Sequence, residues 1–281
     1  MSQNLTQWLK QQIRPWSLPL KQKLRRRYHH YRIHHGASPY HVMGRPRPYR
    51  VLFVLSHMRS GSSLLTHVLV TNPAIIGYGE THIQYQSEGD VRRLLERVYG
   101  TLGTLAMNQT YVLDKLLHNH KAIDTVIQGE AMTAIFLLRE PQGTLTSLRK
   151  LKPDWSAEKA MDYYVQRLQW LEAAARSRQG LGRASCFLTY GDLLERTATV
   201  LEGLQTFLGV DRPFSEQYNL LPTTGIKSIG DSSALVKAGH IVRRSPPNAW
   251  NPEDWPPGAI DQLEAAYHHT DQVLRTHCQP L

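Results

Sequence analysis

Arg59-Ser60-Gly61-Ser62-Ser63 puts a cation, a glycine and three hydroxyls into five consecutive positions. These are the residue types that hold an anion. Gly61 lets the backbone come close to a phosphate, the first N–H groups of a following helix point at it, and the hydroxyls of Ser60, Ser62 and Ser63 add donors. A nucleoside-triphosphate loop reads GxxxxGK[ST]. Aligned on Gly61, this chain has Ser56 for the first glycine and Ser62 for the lysine, and its cation is Arg59, inside the turn. That pattern argues against a kinase or NTPase and for another nucleotide bearing a phosphate-like group. A second anion-holding pair follows downstream, where Arg139 leaves the apolar run Ala134 to Leu138 and Ser147 stands eight residues beyond it. A strand-terminal arginine forms charge-assisted bonds to phosphate, and a serine two turns into the next helix returns to the same place.

These residues need a scaffold that presents strand ends and helix starts together. Val51 to Leu55 is an apolar run short enough for a buried parallel strand, Gly61 breaks it, and Ser62 to Thr71 reads as a helix stopped at Asn72-Pro73. Further strands are expected over Ala74 to Tyr78, Tyr111 to Leu113, Ala134 to Leu138 and Ser185 to Leu188. Helices are expected over Val91 to Tyr99, Ser156 to Arg178, Leu193 to Leu208 and Ala259 to His277. Strands alternating with helices predict an α/β fold, a three-layer parallel sheet of P-loop type flanked by helices. Asp192-x-x-Glu195 has capping-box spacing and is read as structural.

The chain has 281 residues, 41% of them hydrophobic and 20% charged, so a sizeable core is expected and a disordered chain is excluded. Cys186 and Cys278 have neither CxxC spacing nor a partner cluster, which gives no disulfide framework or zinc motif and a reducing compartment by default. No run approaches the ~18 to 20 apolar residues of a membrane span, and no signal-peptide core is evident, so the reading is a soluble, cytoplasmic protein. The net charge of +10 is unevenly placed. Residues 1–50 hold 11 of the 33 basic residues and none of the 23 acidic ones, which leaves residues 51–281 with 22 basic and 23 acidic, a net of −1.

The basicity belongs to an arm and linker over 1–50, with the α/β domain over 51–281. Within the arm, Lys21 to Arg27 runs into Tyr28 to His35 and reads as a short helix, followed by an irregular linker in which Gly36 and several prolines lead to Val51. It suits an anionic lipid surface, peripheral at the inner membrane face, or another polyanion; nucleic acid is not the expected partner. The paired histidines 29-30 and 34-35 have no cysteine or carboxylate neighbours, so metal is the lesser reading.

Arg59 to Leu65 resembles the 5′-phosphosulfate loop of the sulfotransferase family, and Leu137 to Pro141 with Ser147 is similar to its 3′-phosphate motif. Tyr190-Gly191-Asp192-Leu193, leading to Phe207-Leu208-Gly209-Val210, resembles the family's Tyr-Glu-Asp-Leu segment and Phe-Leu-Gly helix end. The chain departs from the pattern at His57-Met58, where proline is common, at Ser62 and Ser63, where threonines are common, and at Glu140, where aspartate is. The resemblance implies a sulfotransferase that moves a sulfuryl group from 3′-phosphoadenosine 5′-phosphosulfate (PAPS) to an acceptor hydroxyl, with no metal required.

Gly77 to His82 brings Glu80 to the carboxyl edge of the sheet, where a base belongs. The segment resembles the base element of carbohydrate and tyrosylprotein sulfotransferases, which implies Glu80 as base and a carbohydrate or glycolipid acceptor. His82 is the alternative base. The resemblance further implies Lys115, with Asn119 nearby, at the sulfuryl group or acceptor, Tyr190 against adenine, and Lys227, Lys237, Arg243 and Arg244 in a late basic loop. Rival readings are a P-loop kinase of a small molecule and a non-enzymatic nucleotide- or polyanion-binding module.

Overall fold

The structure, a computed structural model, describes residues 20–119, 122, 124–226, 235–243 and 250–281. In chain order its elements are helix α1 over 20–34, then β1 (Arg50–Ser56), α2 (Ser62–Thr71), β2 (Ile75–Ile76), α3 (Asp90–Leu102), β3 (Tyr111–Leu116) and α4 (Asp124–Ile127). There follow β4 (Met132–Leu138), α5 (Pro141–Leu151), α6 (Ala157–Gly180), β5 (Ser185–Thr189), α7 (Tyr190–Glu195), α8 (Thr197–Leu208), α9 (Ala259–His277) and β6 (Gln279–Pro280). Six strands form one sheet in the order β2-β3-β1-β4-β5-β6, and every pairing is parallel.

The strands read as apolar runs because both faces of the sheet are covered. Alternate residues of β1 serve different cores. Val51, Phe53 and Leu55 join Phe136 and Leu138 beneath α3, α6 and α9, while Leu52 and Val54 join Ile135, Leu137 and Leu188 beneath α2 and α8. This is the expected three-layer α/β arrangement.

The register of β1 against β4 positions the site. Ser56 lies opposite Leu137 and donates a 2.6 Å hydrogen bond to its carbonyl, so the loop leaving β1 emerges beside the chain leaving β4. From β1 the chain passes through α2 to β2 on one side of the sheet, and from β4 through α5 and α6 to β5 on the other. A crevice between carboxyl ends at such a reversal is where ligands bind in open parallel sheets.

Differences from the expected elements have local causes. Strand β2 is two residues rather than five, because the chain turns away at Gly77, which packs so closely on Leu113 that an added Cβ would lie 2.9 Å from it. The helix expected over Leu193 to Leu208 is two helices, broken at Arg196 (φ −115°, ψ 35°). Asp192 is not the cap of its capping box. Thr189 is the cap, and Asp192 is the third helical residue answering it, with its carboxylate accepting from the Thr189 N–H at 3.0 Å.

Residues 20–49, which precede β1, are docked on the domain. Arg25 donates to the Gly103 carbonyl at 2.7 Å, His29 bonds the Thr104 carbonyl at 2.9 Å, and Ile33, Val42 and Tyr49 lie in the main core. A cation at Gly103 also complements the carboxyl end of α3. Among the described residues, no helix is long and apolar enough to cross a membrane.

Candidate active site at the carboxyl ends of β1, β3 and β4

Between β1 and α2 the backbone takes two left-handed positions, Arg59 (φ 66°) and Gly61 (φ 91°). At Gly61 the requirement for glycine is also steric, because a Cβ would sit 2.3 Å from Cδ2 of the Tyr190 ring. Arg59 has no such exemption, and holding it there costs ~1 to 3 kcal/mol, a kind of strain that clusters at ligand clamps. Among the described residues, no side chain caps the start of α2. Ser60 is fully buried, and its Oγ has no hydrogen-bond partner among the described residues. Unanswered donors at a helix start fit an anionic group.

Two segments far apart in sequence meet on this loop. Arg59 Nε donates to Ser147 Oγ at 2.8 Å, and Arg139 Nη1 donates to the Arg59 carbonyl at 3.2 Å. The Arg139 guanidinium lies 4.6 Å from the centre of the Tyr190 ring and 3.4 Å from the Glu140 carboxylate. Glu140 caps α5 by accepting from the Gly143 N–H at 3.0 Å. From β3, Lys115 reaches across to donate to Ser63 Oγ at 3.0 Å. Arg59, Ser60, Gly61, Ser62, Ser63, Lys115, Arg139, Ser147 and Tyr190 therefore belong to one connected cluster.

His57 holds that cluster in place. Its Nε2 accepts the backbone N–H of Arg139 at 3.1 Å, which leaves Nδ1 as the protonated nitrogen, donating to the Met58 carbonyl at 3.0 Å. Burial pushes its pKa down to about 4. It is a neutral strut that pins the loop to the end of β4, supplying rigidity where the resembled motif commonly has proline.

Glu80 and His82 follow β2 on a loop secured from below. Asp114, fully buried in β3, accepts from the Thr81 backbone N–H at 2.9 Å, from the Thr81 hydroxyl and from the Tyr85 hydroxyl at 2.6 Å. Desolvation raises its pKa to about 6 against these bonds. Arg97 donates to the Thr81 carbonyl at 2.6 Å. One oxygen of Glu80 is buried without a hydrogen bond among the described residues, although His82 Nδ1 stands 3.3 Å from it. His82 is itself in the left-handed region at φ 58°.

Beneath them lies Arg167 of α6, 1% exposed, which donates to the carbonyl of Ser56 at 2.8 Å, to that of Leu116, and to Asn119 Oδ1 at 3.0 Å. It ties the ends of β1 and β3 together. Desolvation lowers its pKa to about 10, while the Tyr163 hydroxyl and the charge of Glu80 act in the other direction. Tyr163 accepts the Met58 N–H and donates to the Leu117 carbonyl, both at 2.8 Å.

Arg167, Tyr163 and the strut role of His57 had no sequence signal, because each depends on contacts across 80 residues or more or on an unremarkable helix position. Asp114 was visible only as the neighbour of Lys115. Asn119 accepts from Arg167 and donates to the Gln166 carbonyl at 3.3 Å. Arg243 is paired with Glu216 at 2.5 Å, Lys237 packs against Gly225, and Lys227 and Arg244 lie outside the described residues.

No protein-family model and no curated protein matches the sequence. Among solved structures, mouse sulfotransferase SULT7A1 complexed with PAP is similar, with a TM-score of 0.41 and 14% identity over 83% of this chain and 86% of that one. Retinol dehydratase in complex with androsterone and the inactive cofactor PAP is another, with a TM-score of 0.37 and 12% identity over 82% of this chain and 81% of that one. Likeness at this level assigns no activity to the chain.

Proposed function

We propose that the chain is a PAPS-dependent sulfotransferase acting on an acceptor hydroxyl. The observation that carries this reading is the meeting of Arg59, Ser147 and Arg139 at the ends of β1 and β4, around a loop with unanswered donors. Two separate cation-bearing segments at one helix start suit a nucleotide with two separate anionic groups. Arg59, Ser60, Gly61, Ser62 and Ser63 would hold the 5′-phosphosulfate, Arg139 with Ser147 the 3′-phosphate, and Tyr190 would flank adenine. PAPS supplies an electrophilic sulfuryl group with a phosphate leaving group. Arg59, the α2 amides and Lys115 stabilise charge developing on that leaving oxygen, and because they are already oriented they need little reorganisation.

Glu80 takes the proton of the acceptor hydroxyl, with His82 as the alternative base. A carboxylate suffices when full ionisation need not precede transfer. The resemblance around Glu80 favours a carbohydrate or glycolipid acceptor. A kinase is disfavoured because Ser62 stands at the lysine position.

Helix α1 supports a peripheral membrane location at a cytoplasmic face. Leu20, Leu24, Tyr28 and Tyr31 recur at helical spacing and are 59, 55, 43 and 51% exposed, among Lys21, Lys23, Arg26 and Arg27. An apolar stripe flanked by cations suits an anionic lipid surface. Incubation with radiolabelled PAPS and a panel of carbohydrate, glycolipid and phenolic hydroxyls tests the proposal. Label transferred to a sugar hydroxyl supports it, transfer only to phenols corrects the acceptor, and γ-phosphate transfer from Mg-ATP instead refutes it.

A further inference from the structure

His30 and His34 are one helical turn apart on α1, and their rings lie 4.3 Å centre to centre. Glu96 comes to both of them from α3, more than 60 residues away in sequence. Its Oε1 is 2.6 Å from His30 Nδ1 and 3.0 Å from His34 Nε2, and the three donor atoms lie within 4.8 Å of one another. We infer that His30, His34 and Glu96 form a binding site for a divalent cation of the zinc class, joining α1 to α3.

Ligand chemistry sets the class. Two imidazoles and one carboxylate suit Zn²⁺, Ni²⁺, Cu²⁺ or Co²⁺, whereas Mg²⁺ and Ca²⁺ prefer all-oxygen sites. Two histidines four residues apart on one helix are a spacing that zinc sites use. Zinc bonds of ~2.0 to 2.2 Å separate tetrahedral donors by ~3.3 Å, about 0.7 Å beyond the present 2.6 Å spacing of Glu96 and His30 and about 0.3 Å beyond the 3.0 Å spacing of Glu96 and His34. His30 and His34 have partly exposed side chains, 66 and 40%, and can make that adjustment while leaving the fourth position to water.

The surrounding segment is cationic, so the local field does not attract the ion and affinity must come from the ligand bonds. That separates a coordinating metal from a diffuse counterion. The neighbouring histidines are otherwise engaged, His29 with the Thr104 carbonyl and His35 with the Tyr31 carbonyl. The site lies on the α1–α3 surface, apart from the residues gathered at the strand ends, and takes no part in sulfuryl transfer.

Untagged full-length protein, stripped with chelator, is titrated with Zn²⁺ by calorimetry and with Co²⁺ by visible absorption. One equivalent of Zn²⁺ binding with no response to Mg²⁺ is expected, with tetrahedral Co²⁺ bands and a zinc-dependent rise in melting temperature. His30→Ala, His34→Ala and Glu96→Gln should each weaken binding at least tenfold, and His35→Ala should leave it unchanged. These are surface side chains, and circular dichroism of each variant verifies folding. Absence of binding, or binding indifferent to all three substitutions, overturns the site and leaves a hydrogen-bonded clamp only.

Discussion

The loop at the strand ends and the outer surface of α1 are both rich in cations, but they hold them differently. At the strand ends each charged group has a fixed partner, with Arg59 on Ser147, Arg139 on the Arg59 carbonyl, Lys115 on Ser63 and Arg167 on the ends of two strands. On α1, Leu20, Leu24, Tyr28 and Tyr31 stand exposed among lysines and arginines. A group held at low dielectric in one orientation stabilises a specific charge strongly, while solvated charges act collectively, weakly and through salt-sensitive fields. The first arrangement suits chemistry on one ligand, and the second suits adhesion to a surface.

Helix α1 is not detachable from the domain, because Ile33 within it and Val42 just after it lie in the core. Removing residues 1–47 strips Ile33 and Val42 from the core, and each large apolar side chain lost there costs ~2 to 5 kcal/mol. The truncated chain is expected to lose its cooperative thermal transition, which calorimetry would show. A well-folded truncate would mean that the segment is an independent arm after all.

At the strand ends the largest kinetic effect is expected from Glu80→Gln, a fall in kcat of ~10² or more with product-nucleotide binding nearly unchanged. Near-normal turnover would move the base to His82. The pH response of stability sharpens the same contrast, because buried groups titrate there. His57, held at about 4 against an ordinary 6.5, takes up its proton more readily in the unfolded chain, so its contribution is full above pH 6.5 and is lost as pH falls toward 4. Asp114, raised to about 6 from 3.8, is more readily protonated in the folded protein, so its contribution grows as pH falls through that window.

The two act in opposite directions over the same pH window in the wild type. Asp114→Asn should therefore unmask a steeper loss of stability from pH 6.5 to 4, read by denaturant titration at several pH values; an unchanged slope would contradict the burial argument. The smallest effect on the donor site is expected from Lys21→Glu with Lys23→Glu, Arg26→Glu and Arg27→Glu together. Sedimentation with phosphatidylserine vesicles at low salt should fall severalfold while nucleotide binding stays the same. Unchanged sedimentation would remove the membrane role.

The contrast also separates what was legible in the sequence. Val51 to Leu55, the break at Gly61 and the helix Ser62 to Thr71 stopped by Asn72-Pro73 match β1 and α2 closely, because their signals are local: an apolar run, a glycine, an Asn-Pro stop. The docking of Ile33 and Val42, the strut His57 and the tie Arg167 were illegible, since each is defined by a partner tens of residues away. Strand β6 was missed because two residues ending in proline have no pattern of their own, and only pairing with Cys186 and Phe187 makes them a strand.

The proposed donor site calls for a nucleotide with both a 3′- and a 5′-phosphate. Calorimetry of the full chain with 3′-phosphoadenosine 5′-phosphate, AMP and Mg-ATP tests it directly. The bisphosphate is expected to bind at least tenfold tighter than AMP without Mg²⁺, a preference that Arg139→Ala erases, since a charge-assisted contact is worth ~1.5 to 3 kcal/mol. Equal affinity for the bisphosphate and AMP, or tight binding of Mg-ATP, would contradict it.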